Sequence, residues 1–352
     1  MRTKGNVQAI YPLTPMQEGM LFHALRDKSS AYFEQYAYRL QGKLDPTIVE
    51  KTLNELMNRY DVLRTAFVYE GVEQPVQVVL KKRQADFFYE DLRKKISANG
   101  DEKEKYIAEF KKEDRLRSFD LTNDALMRTA VLQVDEQEYE FIWSSHHILM
   151  DGWCTEILMA DYFVIYNSLI ANKRYHLPEV KQFRTYIQWL EKQDKQKSKD
   201  YWGKYLESYN EAVCVPAMNP FGGNREEYRS ENIYAPLEQE KVSALEKMAA
   251  RNQVTLNTLF QAAWGIILGK YNGKQDVVFA GVVSGRPSQI EGVESMLGMF
   301  VNTIPIRIRY DDGVSFDSLI RDVQQDALNS ESHHYYPLGE IQAQSALKQD
   351  LI

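Results

Sequence analysis

The stretch YEFIWSSHHILMDGWCTEIL, residues 139–158, contains the change of pattern that decides the fold. Its first part, 139–145, is rich in aromatic and β-branched residues and predicts a strand. A polar connection at 135–137 separates this strand from one predicted at 126–134, so the two should form a hairpin. A helix is expected from 151 to about 171. A hairpin, two histidines and a helix therefore follow directly on one another.

The same mixture of strand and helix patterns continues on both sides of this stretch. Asp45 is a plausible N-cap and Pro46 a favourable first residue for an amphipathic helix at 45–60. A charged helix on the outside of the protein is expected at 187–208. The remaining predicted elements are a strand at 74–80, a strand near 230–236, helices at 239–251 and 256–270, strands at 276–283 and 301–309, and a helix at 315–330.

Length and composition limit the classes of function. The chain has 352 residues, 44% hydrophobic and 26% charged, which suits a globular protein of two domains. Its net charge of −7, with no basic stripe, argues against nucleic-acid binding. Only two cysteines occur, Cys154 and Cys214, which predicts free thiols and a cytoplasmic location. No signal peptide and no apolar run of about 20 residues is seen, so neither secretion nor membrane insertion is expected.

The domain organisation is predicted from the change of pattern around residues 172–185. Each side of this segment shows its own mixture of strands and helices. We expect two α+β lobes, residues 1–175 and residues 176–352, each a mixed α/β two-layer sandwich. Loops after the strands at 139–145 and 276–283 are then the first places to look for a site.

His146 and His147 are the first candidates for chemistry. Neighbouring residues on a strand point to opposite faces, so one imidazole should face inward and the other a cleft. An ordinary pKa near 6.5 lets a histidine accept a proton near neutral pH and return it, although a satisfied core histidine is the alternative. Metal binding is not expected, because two further ligands at suitable spacing are lacking.

Asp151 and Gly152 have both a structural and a functional interpretation. Aspartate is a preferred N-cap, and glycine is common in the turn before a helix. Read alone, the two residues indicate the start of the helix. Read together with the histidines, they form the pattern HHILMDG at 146–152.

HHILMDG resembles the H-H-x-x-x-D-G signature of nonribosomal peptide synthetase condensation (C) domains, which belong to the chloramphenicol acetyltransferase-like superfamily. It stands between a strand and a helix, as in that family. Further segments resemble the family's other motifs in the same order, over nearly the whole chain. They are YPLTPMQEGMLFHAL at 11–25, NRYDVLRTAF at 58–67, DYFVIYNSL at 161–169, VVSGRP at 282–287, LGMFVNTIPIRI at 297–308 and HHYYPLGEIQ at 333–342.

The resemblance implies two chloramphenicol-acetyltransferase-like lobes in a V arrangement. The last family motif, similar to R-D-x-S-x-x-P-L, is not found before Ile352, so the second lobe is expected to be incomplete. Cyclisation domains carry aspartates in place of the histidines. Epimerisation domains share the histidines but differ downstream from the FVNT segment seen here. The pattern therefore favours a condensing member.

The resemblance also implies the substrates. Donor and acceptor peptidyl carrier proteins would present acyl groups on phosphopantetheine arms, which enter a tunnel between the lobes and meet at His147. The protein would bind no cofactor of its own, would adjoin an adenylation domain, and would be a monomeric part of a larger synthetase in antibiotic biosynthesis. An α-amine has a pKa of about 8, so a strong base is not required. We expect His147 to position the amine and take its proton.

The other members of the signature receive roles from the same resemblance. His146 is expected to be structural, and Gly152 to keep a passage clear for the acyl arm. Asp151 should form a structural ion pair with Arg286, or alternatively with Arg64. The residues expected to line the tunnel are Ser284, Asn302 and Thr303, the last two having a hydrogen-bonded strand pair as the alternative.

Some aromatic residues and two other functions complete the predictions. Trp153 and Trp202 are expected in the core, and His333 and His334 on the surface or in a polar loop. One alternative function is a docking module that binds carrier proteins without catalysis, which intact His147 argues against. Another is a trimeric acyltransferase that uses coenzyme A, which the chain length disfavours.

Overall fold

The computed structural model describes residues 4–27, 32–96, 100–215 and 233–351. The chain forms two compact units. The first comprises Met1–Gln193 together with Arg286–Val301, and the second comprises Asp194–Gly285 together with Asn302–Ile352. A piece of the later chain thus belongs with the first unit, which a boundary drawn at 175/176 does not provide for. The predicted lobes themselves stay a prediction.

The first unit mixes helices and strands along its length. Its elements in chain order are β1 (Val7–Pro12), α1 (Pro15–Asp27), β2 (Phe33–Gln41), α2 (Pro46–Arg59), β3 (Thr65–Val68), β4 (Val76–Leu80), β5 (Asp86–Asp91), α3 (Leu92–Lys95), α4 (Gly100–Arg117), β6 (Met127–Asp135), β7 (Glu138–His146), α5 (Trp153–Ile170) and α6 (Arg184–Leu190).

The strands of the described first unit form two sheets. One has the order β1-β4-β3 and the other the order β2-β7-β6-β5, with only β5 and β6 parallel. The hairpin predicted before the histidines is confirmed, since β6 and β7 pair antiparallel from Met127 opposite Ser145 to Asp135 opposite Glu138. This hairpin lies in the middle of its sheet and ends at the histidine pair.

Both faces of the β6–β7 hairpin are covered, which explains its nearly continuous burial. Because side chains alternate along a strand, Tyr139, Phe141 and Trp143 enter the main core with α2 and α5. Ile142 points the other way, into a smaller core with Leu92 of α3 and Ile107 of α4. A strand held on both faces is a rigid support for the residues at its end.

Local signals predicted α2 and α5 correctly. Asp45 caps α2 as predicted, its carboxylate accepting hydrogen bonds from the backbone N–H groups of Thr47 and Ile48. The single outer helix expected at 187–208 is wrong. Instead α6 ends at Leu190, and a separate helix begins after Asp194.

The second unit contains α7 (Lys195–Tyr205), α8 (Gln239–Asn252), α9 (Leu256–Asn272), β8 (Asp276–Val283), β9 (Asn302–Arg309), α10 (Phe316–Ser330) and α11 (Leu338–Gln344). In its described part, β8 and β9 form an antiparallel pair, and α9 packs on both strands and on α10. The strand predicted near 230–236 is not formed at 233–236, and 230–232 lie outside the described residues. The prediction of a mixed α+β architecture is confirmed.

Candidate active site

The candidate site is built on the turn that follows β7. The strand ends at His146, whose N–H donates to Leu126 O at 3.0 Å, and His147 is the first residue of the turn. The N–H of His147 donates instead to Tyr32 O at 2.8 Å. His146 is therefore still part of the sheet, whereas His147 lies outside it. The alternation of side chains along a strand does not determine the directions of the two imidazoles.

His146 is a buried, neutral side chain. It is 5% exposed, and its Nδ1 accepts the backbone N–H of Ile148 at 3.1 Å. Burial, together with the neighbouring His147, lowers the pKa of His146 to about 4. Since its lone pair is used within the turn, His146 stabilises the turn and has no free base to offer.

His147 has the complementary arrangement. Its Nδ1 lies 3.0 Å from the carbonyl oxygen of Met150, three residues along the same turn. A carbonyl can only accept, so this bond requires the proton on Nδ1 and leaves the lone pair on Nε2. The backbone thereby selects the tautomer in which Nε2 can take a proton from a substrate.

Asp151 closes the turn and is completely enclosed. Its Oδ1 accepts from Arg286 Nη2 at 3.2 Å and from the Cys154 thiol at 3.3 Å, and its Oδ2 accepts from the N–H of Phe300 at 3.1 Å. The side chains of Asp151 and Arg286 are 0% and 5% exposed. Because three donors and full burial hold this carboxylate in place, Asp151 has a structural role. It fixes the C-terminal end of the histidine turn.

Arg286 is the partner that the structure brings to Asp151. Its Nη1 also donates to Val293 O at 2.6 Å and Met296 O at 2.9 Å, and its guanidinium lies 4.1 Å from the ring centroid of Phe300. These acceptors all lie in the segment 286–301, so Arg286 folds that segment around Asp151. Sequence reasoning assigned Arg286 to the second lobe, whereas it belongs to the first unit.

Arg64, the alternative partner, has another function. It is buried, and its guanidinium donates to Leu80 O and Asn58 O, both at 2.9 Å, and to Met57 O. Met57 and Asn58 supply carbonyls at the end of α2 that have no partner inside the helix. Arg64 therefore caps α2 and makes no bond to Asp151.

Gly152 and Cys154 follow Asp151 at the start of α5. A Cβ added at Gly152 would meet no atom within 4 Å, and its φ of −60° suits any residue. Neither packing nor backbone geometry within the described structure explains this glycine.

The Cys154 thiol is buried. Burial, and secondly the charge of Asp151, raises its pKa to about 12, so it is not a nucleophile.

Sequence reasoning missed Gln17 as a residue of this site. Gln17 is fully buried, and its Nε2 donates to Ile148 O at 3.0 Å, in the middle of the histidine turn. The only signal in the sequence is T-P-M-Q at 14–17, a pattern that predicts the start of α1. Nothing in that pattern indicates a contact across 131 positions of chain.

The residues expected to line a tunnel belong to the second unit. Asn302 is 7% exposed, and its Nδ2 donates to His334 O at 2.7 Å and Tyr336 O at 2.8 Å. Thr303 is half-buried on β9, and Ser284 is exposed just after β8. The amide of Asn302 thus holds the turn at 334–336, and the tunnel-lining role of all three remains a prediction.

Two predictions about aromatic residues need correction. Trp153 is 55% exposed rather than in the core, with its Nε1–H on Glu294 O, whereas Trp202 is fully buried as expected. His333 is buried rather than on the surface, because its ring stacks on Tyr201 at 4.2 Å and its Nδ1 lies 2.8 Å from Ser198 Oγ. Burial also lowers the pKa of His334 to about 4.

Two further features of the described residues concern metal ligands and apolar helices. They contain no group of three or more His, Cys, Asp or Glu side chains placed to hold a metal ion. None of their helices combines the length and apolar character of a membrane span.

Comparison with known proteins identifies the family and the fold. Residues 7–352 match the model of the Condensation domain, and the chain belongs to this family, whose members in nonribosomal peptide synthetases form amide bonds. The architecture is that of a chloramphenicol-acetyltransferase-like fold. The family and the chloramphenicol-acetyltransferase-like fold predicted from HHILMDG and the other motifs are confirmed, while the V arrangement and the incomplete second lobe stay predictions.

Similar curated proteins are much longer than this chain. It is 44% identical over 350 residues to gramicidin S synthase 2 of Brevibacillus brevis, covering 99% of this chain and 8% of that protein. It is 41% identical to bacitracin synthase 3 of Bacillus licheniformis, covering 98% and 5%, and 42% identical to surfactin synthase subunit 3 of Bacillus subtilis, covering 97% and 27%. The chain therefore corresponds to a small part of each relative.

Solved structures share the fold at lower identity. The starter condensation domain of rhizomide synthetase superposes with a TM-score of 0.76 at 18% identity, covering 97% of this chain and 76% of that one. The X-domain from teicoplanin biosynthesis gives 0.76 at 21% identity, covering 96% and 74%.

Proposed function

We propose that this chain forms a peptide bond between a donor aminoacyl or peptidyl thioester and an acceptor aminoacyl thioester. The observation that carries the proposal is the state of His147. Its Nδ1 is bound to the Met150 carbonyl at 3.0 Å, so its Nε2 lone pair is available in a turn fixed by Asp151 and Arg286. Membership of the condensation family supports the same reaction.

In the proposed reaction the α-amine of the acceptor attacks the thioester carbonyl of the donor. A C–N bond forms, and His147 Nε2 takes a proton from the amine nitrogen as the tetrahedral intermediate develops. The C–S bond then breaks, and the imidazolium returns the proton to the departing thiolate. An amide and a free thiol result, so no other reactant is needed.

Positioning and proton transfer both contribute to this mechanism. An α-amine has a pKa of about 7.7 to 8.0, so a useful fraction is already deprotonated near neutral pH. A thioester is also an activated acyl donor. Proton transfer by a fixed histidine contributes about 10² to 10⁴ in rate. Alignment of amine and thioester supplies a further part of the rate increase.

The partners in this proposal are donor and acceptor peptidyl carrier proteins. Their phosphopantetheine arms would deliver both substrates, an adjacent adenylation domain would load a carrier, and the chain itself would work as a monomeric part of a larger synthetase in antibiotic biosynthesis. The relatives named as peptide antibiotic and surfactin synthases support this assignment. Both cysteines are free, which suits the cytoplasm.

His147→Ala tests the proposal. Dipeptide formation would be measured with two loaded carrier proteins over a range of pH, and binding of each carrier would be measured separately. We expect kcat to fall about 10²- to 10⁴-fold while carrier binding is retained. His176→Ala, at an exposed histidine outside the turn, is the control and should match the parent.

Gly152→Ala adds an independent check on where the acyl arm passes. The structure accommodates the added methyl group, so the variant should fold like the parent. If the arm passes over Gly152, product formation should fall.

An unchanged rate in His147→Ala would contradict the proposed mechanism. A parent that binds both carriers but forms no dipeptide would instead be a docking module.

A further inference from the structure

Gln17 connects the first turn of α1 to the histidine turn. It is 0% exposed, and its Oε1 accepts the N–H of Thr14 at 3.0 Å, while its own N–H donates to Thr14 Oγ1 at 3.3 Å. These two bonds form a reciprocal capping box at the start of the helix. The capping box uses the oxygen of the side-chain amide and leaves the nitrogen for other partners.

The amide nitrogen of Gln17 has two acceptors. Its Nε2 lies 3.0 Å from Ile148 O and 3.3 Å from Gln77 Oε1. Gln77 is itself oriented, because its own Nε2 donates to Pro12 O at 2.9 Å and leaves its Oε1 as the acceptor. Both N–H groups of the Gln17 amide have an acceptor and its oxygen has a donor, so the orientation of the amide is fixed.

Ile148 lies between the two groups that define the tautomer of His147. Its N–H is held by His146 Nδ1 and its carbonyl by Gln17, so both sides of the residue are fixed. If the peptide plane that follows Ile148 were free to rotate about its flanking single bonds, the position of the Met150 carbonyl relative to His147 Nδ1 would no longer be fixed. We infer that Gln17 is a positioning residue that holds this turn and so directs His147 Nε2, an inference that rests on the proposed role of His147.

The choice of glutamine distinguishes this role from helix capping. Glutamate completes a capping box as well as glutamine does. A carboxylate, however, has no N–H to donate and would face two acceptor oxygens, Ile148 O and Gln77 Oε1. An ionised glutamate would lose both bonds, and a protonated one has a single O–H for the two acceptors. Gln17→Glu therefore keeps the helix cap and removes or weakens the bond to the histidine turn, whereas Gln17→Met removes this bond outright.

Gln133 provides a matched control in the same unit. It is 6% exposed on β6, its Oε1 accepts the Tyr89 hydroxyl at 2.6 Å, and its Nε2 donates to Asp135 O at 3.0 Å. Gln133→Glu is the same chemical change at a similarly buried amide, with no bond to the histidine turn. It measures the general cost of a buried glutamate in this protein.

The kinetic test compares the parent chain with Gln17→Glu, Gln17→Met and Gln133→Glu, using the assay with loaded carrier proteins. Misplacing a reacting group costs up to about 100-fold, so we expect kcat to fall about 10- to 100-fold in both Gln17 variants. KM should remain within about twofold, because the bond acts on the reacting group and not on substrate binding. Gln133→Glu should retain the kcat of the parent.

A spectroscopic test needs no substrate. The ¹⁵N chemical shifts of the His147 ring, assigned by comparison with His147→Ala, report which nitrogen carries the proton at a pH where the ring is neutral. The parent should show Nδ1–H, and both Gln17 variants should show a mixture of tautomers. Gln133→Glu should be indistinguishable from the parent.

Several outcomes would overturn the role of Gln17. Folded Gln17 variants with the parent's kcat and tautomer would do so, as would failure of both variants to fold, which would make Gln17 a core residue only. If His147→Ala retains full activity, the proposed function fails independently. If His147→Ala is inactive while Gln17→Glu and Gln17→Met behave like the parent, only the positioning role fails.

Discussion

Asp151 and Arg286 form a buried pair in which each charge depends on the other. Removing two charges from water is costly, and the cost is offset only when the pair is well bonded. Here Asp151 has three donors, while Arg286 reaches two carbonyls and the ring of Phe300. The pair has no surface from which to act on a substrate, so its contribution is to the order of the turn.

We predict that Asp151→Asn destabilises the protein strongly. An asparagine can still accept the N–H of Phe300, but the charge of Arg286 is left unpaired in an enclosed site. Breaking such a pair costs about 3–5 kcal/mol in the free energy of unfolding. Urea denaturation of parent and variant measures the difference.

The double variant Asp151→Asn/Arg286→Met identifies the cause. If the unpaired charge is responsible, the double variant should be more stable than Asp151→Asn alone. An Asp151→Asn variant with the parent's stability and a selective loss of product formation would show instead that the carboxylate acts in the chemical step.

The sequence predicted which residues form the site better than it predicted their protonation and their contacts. The signature indicated His147 and Asp151 because it specifies the residue types at these positions. The protonated nitrogen of His147 is set by the carbonyl of Met150, and every residue type provides such a carbonyl. The contact of Gln17 with Ile148 likewise depends on the path of the chain and not on local pattern.

Helix packing in the second unit depends on individual glycines. Gly265 lies in the middle of α9, where an added Cβ would overlap the side chain of Ile308 on β9. Gly203 lies within α7, where a Cβ would be 3.7 Å from Gln344 Oε1, an ordinary contact. The same substitution should therefore have opposite effects at the two positions.

We predict that Gly265→Ala lowers the free energy of unfolding by about 1–3 kcal/mol through overpacking. Gly203→Ala should raise it by up to about 1 kcal/mol, because alanine is the better helix former. Thermal unfolding of the two variants beside the parent is the measurement. Equal destabilisation by both would contradict the close approach of α9 to β9.

Elements with a local cause were predictable. Asp45 and Pro46 identified the start of α2, and runs rich in β-branched and aromatic residues identified β6 and β7. The segment 187–208 failed because its many lysines suggest an exposed helix. Burial of Trp202 and the N-cap at Asp194 decide its structure, and the carboxylate of Asp194 accepts the N–H of Lys197.

The stability of the whole protein in acid depends on buried titratable groups. Acidification destabilises the folded state through one of them, His146, and stabilises it through another, Asp61. His146, with a pKa lowered from 6.5 to about 4, binds fewer protons in the folded state, so its contribution to stability is lost as pH falls below about 6.5. Asp61 is the reverse. Burial raises its pKa from 3.8 to about 6 despite nearby Arg64, so acidification between these values favours the folded state.

We predict that the free energy of unfolding falls between pH 7 and pH 5 by about 2 kcal/mol less in His146→Asn than in the parent. The imidazole that must become charged on unfolding in acid is absent from this variant. Urea denaturation at both pH values provides the comparison, with His176→Asn, at an exposed histidine, as the control. An identical pH dependence in His146→Asn and parent would show that His146 is not held neutral.

The return of residues 286–301 to the first unit has a consequence for biosynthesis. Asp151 leaves the ribosome 150 residues before Val301, the end of the segment that encloses it. At about 5–20 residues per second, that interval is about 8–30 s. For most of this interval, until Arg286 emerges, a nascent chain carries both histidines but lacks the guanidinium that balances Asp151. The site is therefore among the last parts of the first unit to mature during synthesis.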